Sequence, residues 1–275
     1  LLILVFSSAR ADEHENKDPS ACNGHAELCD RTYNNVTYLV THNAYATDSN
    51  IAANQDRSIL EQLDDGVRGL KLTAIVKDDS LHLCHTHCSI LDAGPVVDTL
   101  DTIAGWLKSH PSEVVTLMWN NGETAAIAKA YQNSAIFPMV YSLPQDTQAW
   151  PTLRDMISRN TRVVSFVDNW SDVPYLIDEF AHVFETPYDT TNPDQFLCTI
   201  DRPENPEHPN EMMYLVNHFL YGVIQLGKDH QIEVPQKDKA ASTNHERLEA
   251  HLKDCIQSFQ RKPTFVEVDF YAWGD

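Results

Sequence analysis

Short apolar runs alternate along this chain with longer segments of helical periodicity. The runs typical of β-strands are Val36–Thr41, Val67–Val76, Leu81–His85, Val114–Trp119, Arg162–Val167, Met212–Asn217 and Thr264–Phe270. The segments that predict helices are Ser58–Asp65, Val96–His110, Glu123–Ile136, Thr152–Asn160 and Asn244–Gln260. Because near-continuous apolar strands alternate with helices, the pattern predicts an α/β protein with a parallel sheet.

The number of strands and the chain length favour a closed or nearly closed barrel over an open sheet. The first eleven residues end in an Ala-x-Ala pattern after an apolar core, which predicts the remnant of a signal peptide, with a buried first strand as the alternative. Residues 12–30 are polar and aperiodic and predict an N-terminal disulfide loop. Residues 31–275 are then one domain, close to the roughly 250 residues of a (β/α)8 barrel.

Six cysteines in a chain with an export signal indicate disulfides. Sequence proximity favours Cys22–Cys29 and Cys84–Cys88, which leaves Cys198–Cys255. Asn35 and Asn169 begin acceptor sequons for N-glycosylation. We therefore expect a secreted, extracellular glycoprotein.

The charge of the chain limits its partners. Forty acidic residues against 20 basic ones give a formal net charge of −20. This charge excludes nucleic acid as a partner and argues against electrostatic docking on anionic membranes, because both require a basic surface. An anionic substrate would need local positive charge, so any basic residue inside the barrel is informative.

Polar side chains stand at the ends of five predicted strands. They are His42 with Asn43, His85, Asn120 with Asn121, Asp168 and Asp269. The carboxyl ends of the strands form the active site of such barrels. Two imidazoles in one pocket can act as general base and general acid because their pKa lies near neutrality.

Lys71 is the basic residue that the strand pattern places inside the barrel. Alternation puts Leu70 and Leu72 on the outer face and Lys71 on the inner one. A buried ammonium group needs an anion. Two interpretations stay open: a structural ion pair with Asp or Glu, or a phosphate-binding cation beside the histidines.

The histidines and cysteines around His85 allow other interpretations. His82, Cys84, His85, His87 and Cys88 could form a zinc site, since His and Cys are common zinc ligands. Alternation places His82 and Cys84 on the face opposite His85, however, and export favours a disulfide. A buried structural role for His85 alone is a further alternative.

Several motifs together resemble the X domain of phosphatidylinositol-specific phospholipases C, in particular a secreted, cysteine-containing branch common in fungi. The motifs, in order, are Thr41-His42-Asn43-Ala44-Tyr45, Gln62-Leu63-Asp64-Asp65-Gly66-Val67-Arg68-Gly69-Leu70, Leu83-Cys84-His85, Glu113-Val114-Val115-Thr116-Leu117 and Val266-Glu267-Val268-Asp269-Phe270-Tyr271. The resemblance implies a distorted or incomplete TIM barrel. It also implies that His42 is the general base, His85 the general acid and Asp269 the carboxylate that orients the base.

The chain departs from both branches of that family on its second strand. Calcium-dependent members carry acidic residues where this chain has Lys71 and Thr73, and a glutamate at Asn120, so we expect no metal and no cofactor. Metal-independent bacterial members place aspartate and arginine at the two second-strand positions. Lys71 is therefore the candidate that stabilises the charge on phosphorus, with Asn43, Asn120, Asp168 and Tyr271 as further substrate-binding candidates by position.

The sequence thus predicts a secreted, metal-independent phosphodiesterase. Its substrate would be a phosphoinositide, an inositol-glycan anchor or a glycerophosphodiester, with transient contact with a membrane surface. Two alternatives stay open: a catalytically weak barrel that acts as an extracellular binding or effector protein, and a metal-dependent enzyme of the glycerophosphodiesterase or sphingomyelinase D type.

Overall fold

The structure, a computed structural model, describes residues 21–47, 50–144, 149–225 and 231–274. The predicted signal segment 1–11 and the first part of the predicted loop 12–30 lie outside these ranges. None of the helices within them is long and apolar enough to cross a membrane.

The strands are β1 (Tyr38–Thr41), β2 (Gly69–Lys77), β3 (Ser80–His85), β4 (Leu91–Pro95), β5 (Val115–Asn120), β6 (Val163–Val167), β7 (Ile177–Asp178), β8 (Val183–Glu185), β9 (Met213–His218), β10 (Tyr221–Gln225), β11 (Gln231–Pro235) and β12 (Phe265–Val268). The helices are α1 (Ile59–Asp64), α2 (Val96–Ser109), α3 (Thr124–Gln132), α4 (Leu153–Ser158), α5 (Glu179–His182), α6 (Ala240–Ser242) and α7 (Leu248–Phe259).

Eight of the strands form one curled parallel sheet in the order β7-β6-β5-β2-β1-β12-β9-β8. In the part of the chain that the structure describes, no ladder joins β7 to β8, so the barrel is open at this seam. β3 and β4 extend β2 as an antiparallel meander, and β10 and β11 form a separate hairpin. The prediction of an incomplete (β/α)8 barrel is confirmed.

The two faces of the sheet have separate cores. Leu70 and Leu72 on β2 pack outward with Leu100 and Ile103 of α2. The inner face is apolar at the amino-terminal end of the barrel, where Val40, Met118, Phe166, Leu215 and Phe265 fill the interior. Lys71 lies on this inner face, as the alternation of β2 predicts. The charged and titratable groups described below lie towards the other end of the barrel.

Gly69 allows β1 and β2 to approach each other closely. A Cβ at this position would lie 2.5 Å from Val40 Cγ2, well inside the contact distance of two carbon atoms. The β1–β2 ladder is short, with Val40 opposite Gly69 and Thr41 opposite Leu70. The glycine therefore brings the strand of His42 next to the strand of Lys71.

Each predicted strand and helix exists, with its ends shifted by a few residues. The largest shifts are four residues. The helix predicted to end at Ile136 ends at Gln132, and the helix predicted from Asn244 begins regularly only at Leu248, because His245 has a non-helical backbone. The sequence did not predict β4, β7, β8, the β10–β11 hairpin, α5 or α6. These elements are short, so they carry too few residues to show a period.

All three predicted disulfides form. Cys22 is bonded to Cys29, Cys84 to Cys88, and Cys198 to Cys255. The first ties the start of the described chain to itself, the second closes a short loop behind His85, and the third joins α7 to the loop after β8.

Candidate active site

His42 and Asp269 form a buried hydrogen-bonded pair at the carboxyl ends of adjacent strands. His42 Nδ1 lies 2.9 Å from Asp269 Oδ1, and both side chains are about 7% exposed. The pairing of β1 with β12 sets this distance, since the backbone N–H of His42 donates to Val268 O at 3.0 Å. A carboxylate oxygen only accepts, so Nδ1 carries the proton and Nε2 offers its lone pair to the site.

Two amides from the loop before α1 fix this pair. Asn54 Nδ2 donates to Asp269 Oδ1 at 2.9 Å, and Gln55 Nε2 donates to the carbonyls of His42 and Val268 at 3.0 and 3.1 Å. Both side chains are almost fully buried. They hold the carboxylate and the backbone of the imidazole in one orientation, which general base catalysis requires.

The surroundings of His42 favour its protonated form. Burial opposes the charge, but the carboxylates of Asp269 and, to a smaller extent, Glu267 together outweigh burial and raise the pKa of His42 above its ordinary value. The ring also stacks on Phe219, with centroids 4.1 Å apart and planes 16° from parallel. A base of this kind holds the proton that it removes from a substrate.

His85 lies at the carboxyl end of β3, and its surroundings favour the neutral form of the imidazole. Burial, and then the charge of His42, lower the pKa of His85 to about 4. The effect of His42 shows that the two imidazoles lie within electrostatic range of each other. His85 Nδ1 lies 3.2 Å from Thr86 Oγ1. The structure thus brings together two histidines whose proton affinities differ.

Sharp turns follow the polar residues at four strand ends. His42, His85, Asn120 and Asp269 are each followed by a non-glycine residue in the left-handed region; these residues are Asn43, Thr86, Asn121 and Phe270. Such a conformation is uncommon for Thr and Phe and costs on the order of 1–3 kcal/mol. At Phe270 the turn is held by Asn54, whose carbonyl accepts from the N–H of Phe270, and by Asn244, whose amide donates to the carbonyls of Asp269 and Phe270.

The zinc alternative around His85 does not fit this structure. Cys84 and Cys88 form a disulfide, so neither offers a thiolate. His82 points to the other face of β3, where its Nδ1 lies 2.9 Å from Asp92 Oδ1. The disulfide instead supports the loop that follows His85.

The disulfides are expected to separate stability from activity. Replacing Cys198 and Cys255 with alanine should lower the free energy of unfolding by about 4 kcal/mol, because the bond closes a loop with a sequence separation of 57. Replacing Cys84 and Cys88 should remove about 2 kcal/mol, since their separation is only 4, yet it should lower turnover more. Urea unfolding and kcat of the two double variants test this. The reverse ranking of activity would contradict a positioning role for the Cys84–Cys88 bond.

Amide and hydroxyl groups surround the two histidines. Asn43 Oδ1 accepts from Thr73 Oγ1 at 2.8 Å, and Asn43 Nδ2 lies 3.2 Å from His42 Nε2. Asn120 is the ladder partner of Thr73, and its buried Oδ1 has no hydrogen-bond partner in the described residues. These groups line the side of the pocket formed by β1, β2 and β5.

Asp168 directly follows β6, and both of its carboxylate oxygens accept hydrogen bonds from neighbouring loop residues. Its Oδ2 accepts from the backbone N–H of Asn121 at 3.1 Å, and its Oδ1 accepts from the side chain of Asn169 at 3.0 Å. Burial raises the pKa of Asp168 above its ordinary range, although the cations Lys71 and Arg202 act against this. It stays a substrate-binding candidate on the rim.

Tyr271 does not reach the histidines, contrary to the prediction from its position. Its hydroxyl donates to Asp65 Oδ2 at 2.6 Å, directly after α1. The left-handed conformation of Phe270 ends the strand and turns the chain outward, so alternation no longer places Tyr271. Tyr271 is therefore a structural contact on the outside of the barrel.

Lys71 is enclosed by carboxyl groups. Its Nζ lies 2.8 Å from Glu185 Oε1, 3.3 Å from Glu179 Oε1 and 3.9 Å from Glu267 Oε2, and its side chain is only 2% exposed. Burial disfavours the ammonium, but the three glutamates outweigh burial and raise the pKa of Lys71. Of the two interpretations left open by the sequence, the structural ion pair describes this arrangement, and no open side of the ammonium remains for a phosphate.

The residues at the calcium position of the metal-dependent branch do not fit that ion. Asn43 Oδ1 is occupied by the hydroxyl of Thr73, and the ammonium of Lys71 lies where calcium would need carboxylates. Within the described ranges, the groups of three or more metal-ligating side chains are both built on disulfide cysteines.

Sequence reasoning missed several residues of the site. Asn54, Gln55 and Phe219 lie on loops, where no period signals their direction. Glu179 and Glu185 lie on elements too short to predict. Only Glu267 had a usable signal, because the alternation Val266-Glu267-Val268-Asp269 places it on the inner face with Asp269.

The incomplete parallel α/β barrel of this chain also occurs in solved structures of a bacterial phospholipase C. Two mutants of phosphatidylinositol-specific phospholipase C from Staphylococcus aureus share this fold, with TM-scores of 0.60 and 0.61 at 12% and 13% identity. The matches cover 87% of this chain and 88% and 87% of those chains. The family model for the PI-PLC X domain (PI-PLC X 1) matches residues 28–275, and the chain belongs to this family.

Two fungal relatives from Arthroderma benhamiae resemble the chain along most of its length. PI-PLC X domain-containing protein 1 is 39% identical over 271 residues, which is 92% of this chain and 86% of that protein. An uncharacterized secreted protein is 33% identical over 284 residues, which is 98% of this chain and 63% of that protein. The predicted family resemblance is confirmed.

Proposed function

We propose that this protein is a secreted, metal-independent phosphodiesterase that cleaves an inositol phosphodiester or a related glycerophosphodiester by two-histidine acid–base chemistry. The observation that carries this proposal is the buried His42–Asp269 pair with His85 in electrostatic range. The PI-PLC X family membership supports the choice of phosphodiester as the reacting group.

In the first half of the reaction, His42 Nε2 removes the proton from the hydroxyl group next to the phosphate on the inositol ring. The freed oxygen attacks phosphorus and forms the new P–O bond. The Asp269 carboxylate stabilises the imidazolium that results, because it already accepts from Nδ1.

In the second half, the bond from phosphorus to the glycerol oxygen breaks and His85 gives that oxygen its proton. The products are a cyclic inositol phosphate and diacylglycerol, and no oxidant or metal is consumed. In the free protein His85 is neutral at pH 7, since its pKa is about 4. A bound phosphate anion favours the imidazolium, so substrate binding supplies the condition under which His85 acts as an acid.

The pH dependence of kcat/KM follows from these two groups. The reactive form of the free protein has His42 neutral and His85 protonated. Because the pKa of His85 is about 4 and that of His42 lies above 6.5, kcat/KM should be level between these values. Below pH 4, kcat/KM should fall because the neutral fraction of His42 continues to decrease while His85 is already protonated. Above the pKa of His42, kcat/KM should fall because the protonated fraction of His85 continues to decrease while His42 is already neutral.

Asp269→Asn tests the assignment of the alkaline limb. The variant removes the charge that raises the pKa of His42, so this limb should move to lower pH. Asp178→Asn, at the N-terminus of α5, is the matched control and should leave the limb in place. An alkaline limb that Asp269→Asn does not move would contradict the pairing of His42 with Asp269 in solution.

Secretion is supported by three disulfides and by the secreted relative. Asn35 and Asn169 are both exposed, which an N-glycan requires. Expression in a glycosylating host, followed by recovery from the medium and glycosidase treatment, tests both points. A phospholipid or glycerophosphodiester partner, with transient contact at the membrane surface, belongs to the same proposal.

The direct test is product analysis with purified protein and EDTA. Phosphatidylinositol and glycerophosphoinositol are incubated with the wild type and with His42→Ala, and the phosphorus products are identified by NMR. A cyclic phosphate that forms with the wild type and is lost in His42→Ala supports the proposal. Turnover that EDTA abolishes would instead favour the metal-dependent alternative, and binding without turnover would favour the binding protein.

A further inference from the structure

The proposed reaction needs a cation that the histidines do not supply. A phosphodiester carries one negative charge, and negative charge accumulates on its oxygens as phosphorus is attacked. The chain has a net charge of −20, and Lys71 is surrounded by glutamates. Arg202 is the second cation of the cluster formed by Lys71, Glu179, Glu185 and Glu267, and its side chain is more exposed than that of Lys71.

Arg202 comes from the long loop between β8 and β9 and covers the open seam of the barrel. Its carbonyl accepts from the N–H of Glu185 at 2.7 Å, and the N–H of Asp201 donates to the carbonyl of Glu185 at 2.9 Å. These two bonds attach the loop to the free edge of β8. The side chain of Arg202 therefore starts from a fixed point at the carboxyl end of a barrel strand.

The guanidinium of Arg202 lies close to two aromatic rings. Its Cζ lies 4.3 Å from the ring centroid of Tyr188 and 5.4 Å from that of Phe180. Nη2 donates to Glu185 Oε2, the second oxygen of the carboxylate that binds Lys71. The ion pair with Glu185 and the contacts with the two rings thus restrict the position of the guanidinium before a ligand arrives.

The remaining donors of Arg202 have no protein acceptor in the described ranges. Nε is buried without a partner, and Nη2 makes the only hydrogen bond of the side chain there. The side chain is 32% exposed, against 2% for Lys71. Arginine presents five N–H donors in a fork that matches phosphate oxygens. Nη1 has no acceptor in the described ranges either, so the exposed part of this guanidinium suits such a ligand.

Arg202 and His42 are both within electrostatic range of Glu267. The charge of Arg202 lowers the pKa of Glu267, which also interacts with His42, although burial raises that pKa overall. It acts in the same direction on Asp168, at the end of β6. Arg202 lies at the carboxyl end of β8, where Glu185 links it to Lys71, and Lys71 in turn lies 3.9 Å from Glu267 of β12.

The charge of the cluster does not oppose a phosphate. Burial holds the pKa of Glu179 well above its usual range, which favours the uncharged form of this carboxyl group. Lys71 and Arg202 hold the pKa of Glu185 down to about 2 against the effect of burial. Lys71 and Arg202 thus share Glu185 as the carboxylate that both of them contact.

We propose that Arg202 binds the phosphate of the substrate, with its exposed guanidinium edge as the donor and with Lys71 and Glu185 as the support that fixes it. This inference rests on the proposed function for its substrate, but phosphate binding can be measured without turnover. Arg202 takes the part that the sequence suggested for Lys71.

The first experiment measures binding of inorganic phosphate by thermal unfolding of the full chain, at constant ionic strength with chloride as the reference. Phosphate should raise the Tm of the wild type, and Arg202→Met should weaken apparent phosphate affinity by about 10- to 100-fold, the effect of one charge-assisted hydrogen bond. Arg261→Met is the matched control, because Arg261 also stacks on two aromatic rings, Phe184 and Tyr214, but donates to Pro209 O. It should leave phosphate affinity unchanged.

Arg202→Lys keeps the charge next to Glu185 and tests the proposal if Arg202→Met does not fold. It should keep the fold and still bind phosphate several-fold more weakly, since lysine lacks the planar fork. The same phosphate affinity in the wild type and in Arg202→Lys or Arg202→Met would overturn the proposal. An absence of phosphate stabilisation in the wild type would also overturn it.

Kinetics with glycerophosphoinositol separate this inference from the proposed function. If the wild type turns over the diester, Arg202→Met should lower kcat/KM by about the same 10- to 100-fold factor. Unchanged kcat/KM in that variant would overturn the role of Arg202 and leave the proposed function standing. Phosphate binding that depends on Arg202, without any turnover of the diester, would support the role of Arg202 and overturn the proposed function.

Discussion

Turnover of glycerophosphoinositol is expected to fall by about 10²- to 10⁴-fold when His42 is replaced with alanine. The variant removes the imidazole that Asp269 orients. Asn54 also donates to Asp269, but an amide cannot serve as a general base in place of the imidazole. His85→Ala should have a loss of similar size, because the glycerol oxygen is a poor leaving group without a proton. Steady-state kinetics on the two variants measure both effects.

A second substrate distinguishes the base from the acid. In an inositol phosphodiester with a nitrophenyl group, the nitrophenolate leaves without being protonated. His85→Ala should therefore recover most of its activity on this substrate, whereas His42→Ala should not. His82→Ala is the matched control on the same strand; it faces Asp92 and should be fully active. Equal rescue of His42→Ala and His85→Ala would contradict the division of roles.

Replacing Lys71 with methionine is expected to have the largest effect on folding. Methionine fills much of the same space but leaves Glu185 and Glu267 buried without their ammonium partner. Removal of one member of a buried ion pair costs about 3–5 kcal/mol, which is a large part of the stability of a typical domain. Urea unfolding monitored by circular dichroism measures the loss.

Two further variants check that the loss comes from unpaired charge. Lys77→Met changes the exposed lysine at the end of the same strand and should have little effect. Lys71→Met combined with Glu185→Gln should recover part of the stability, because one buried charge is then absent. A Lys71→Met protein as stable as the wild type would show that the cluster contributes nothing to the fold.

The sequence predicted the parts of the site that lie on regular strands. His42, Lys71 and Asp269 end or face inward from strands whose apolar neighbours show a clear period, so alternation placed them correctly. The disulfides could be paired because two of them link cysteines that are close in sequence.

What the sequence could not predict depends on loops and on contacts between distant segments. The partners of Lys71 come from α5 and β8, which are four and three residues long and have no period to detect. Tyr271 was misplaced because one left-handed residue, Phe270, interrupts the alternation that preceded it. Arg202 lies in a loop, and only its contact with Glu185 in the folded chain reveals it.

The left-handed residues after the strand ends also bear on how this protein can be engineered. Thr86 and Phe270 are positions where glycine would adopt the observed backbone more readily, so a search for stabilising substitutions would select them. Glycine at these positions would also make the backbone next to His85 and Asp269 more flexible. Thermostability and catalytic precision are therefore opposed at these turns, and variants selected for heat resistance alone would tend to lose activity.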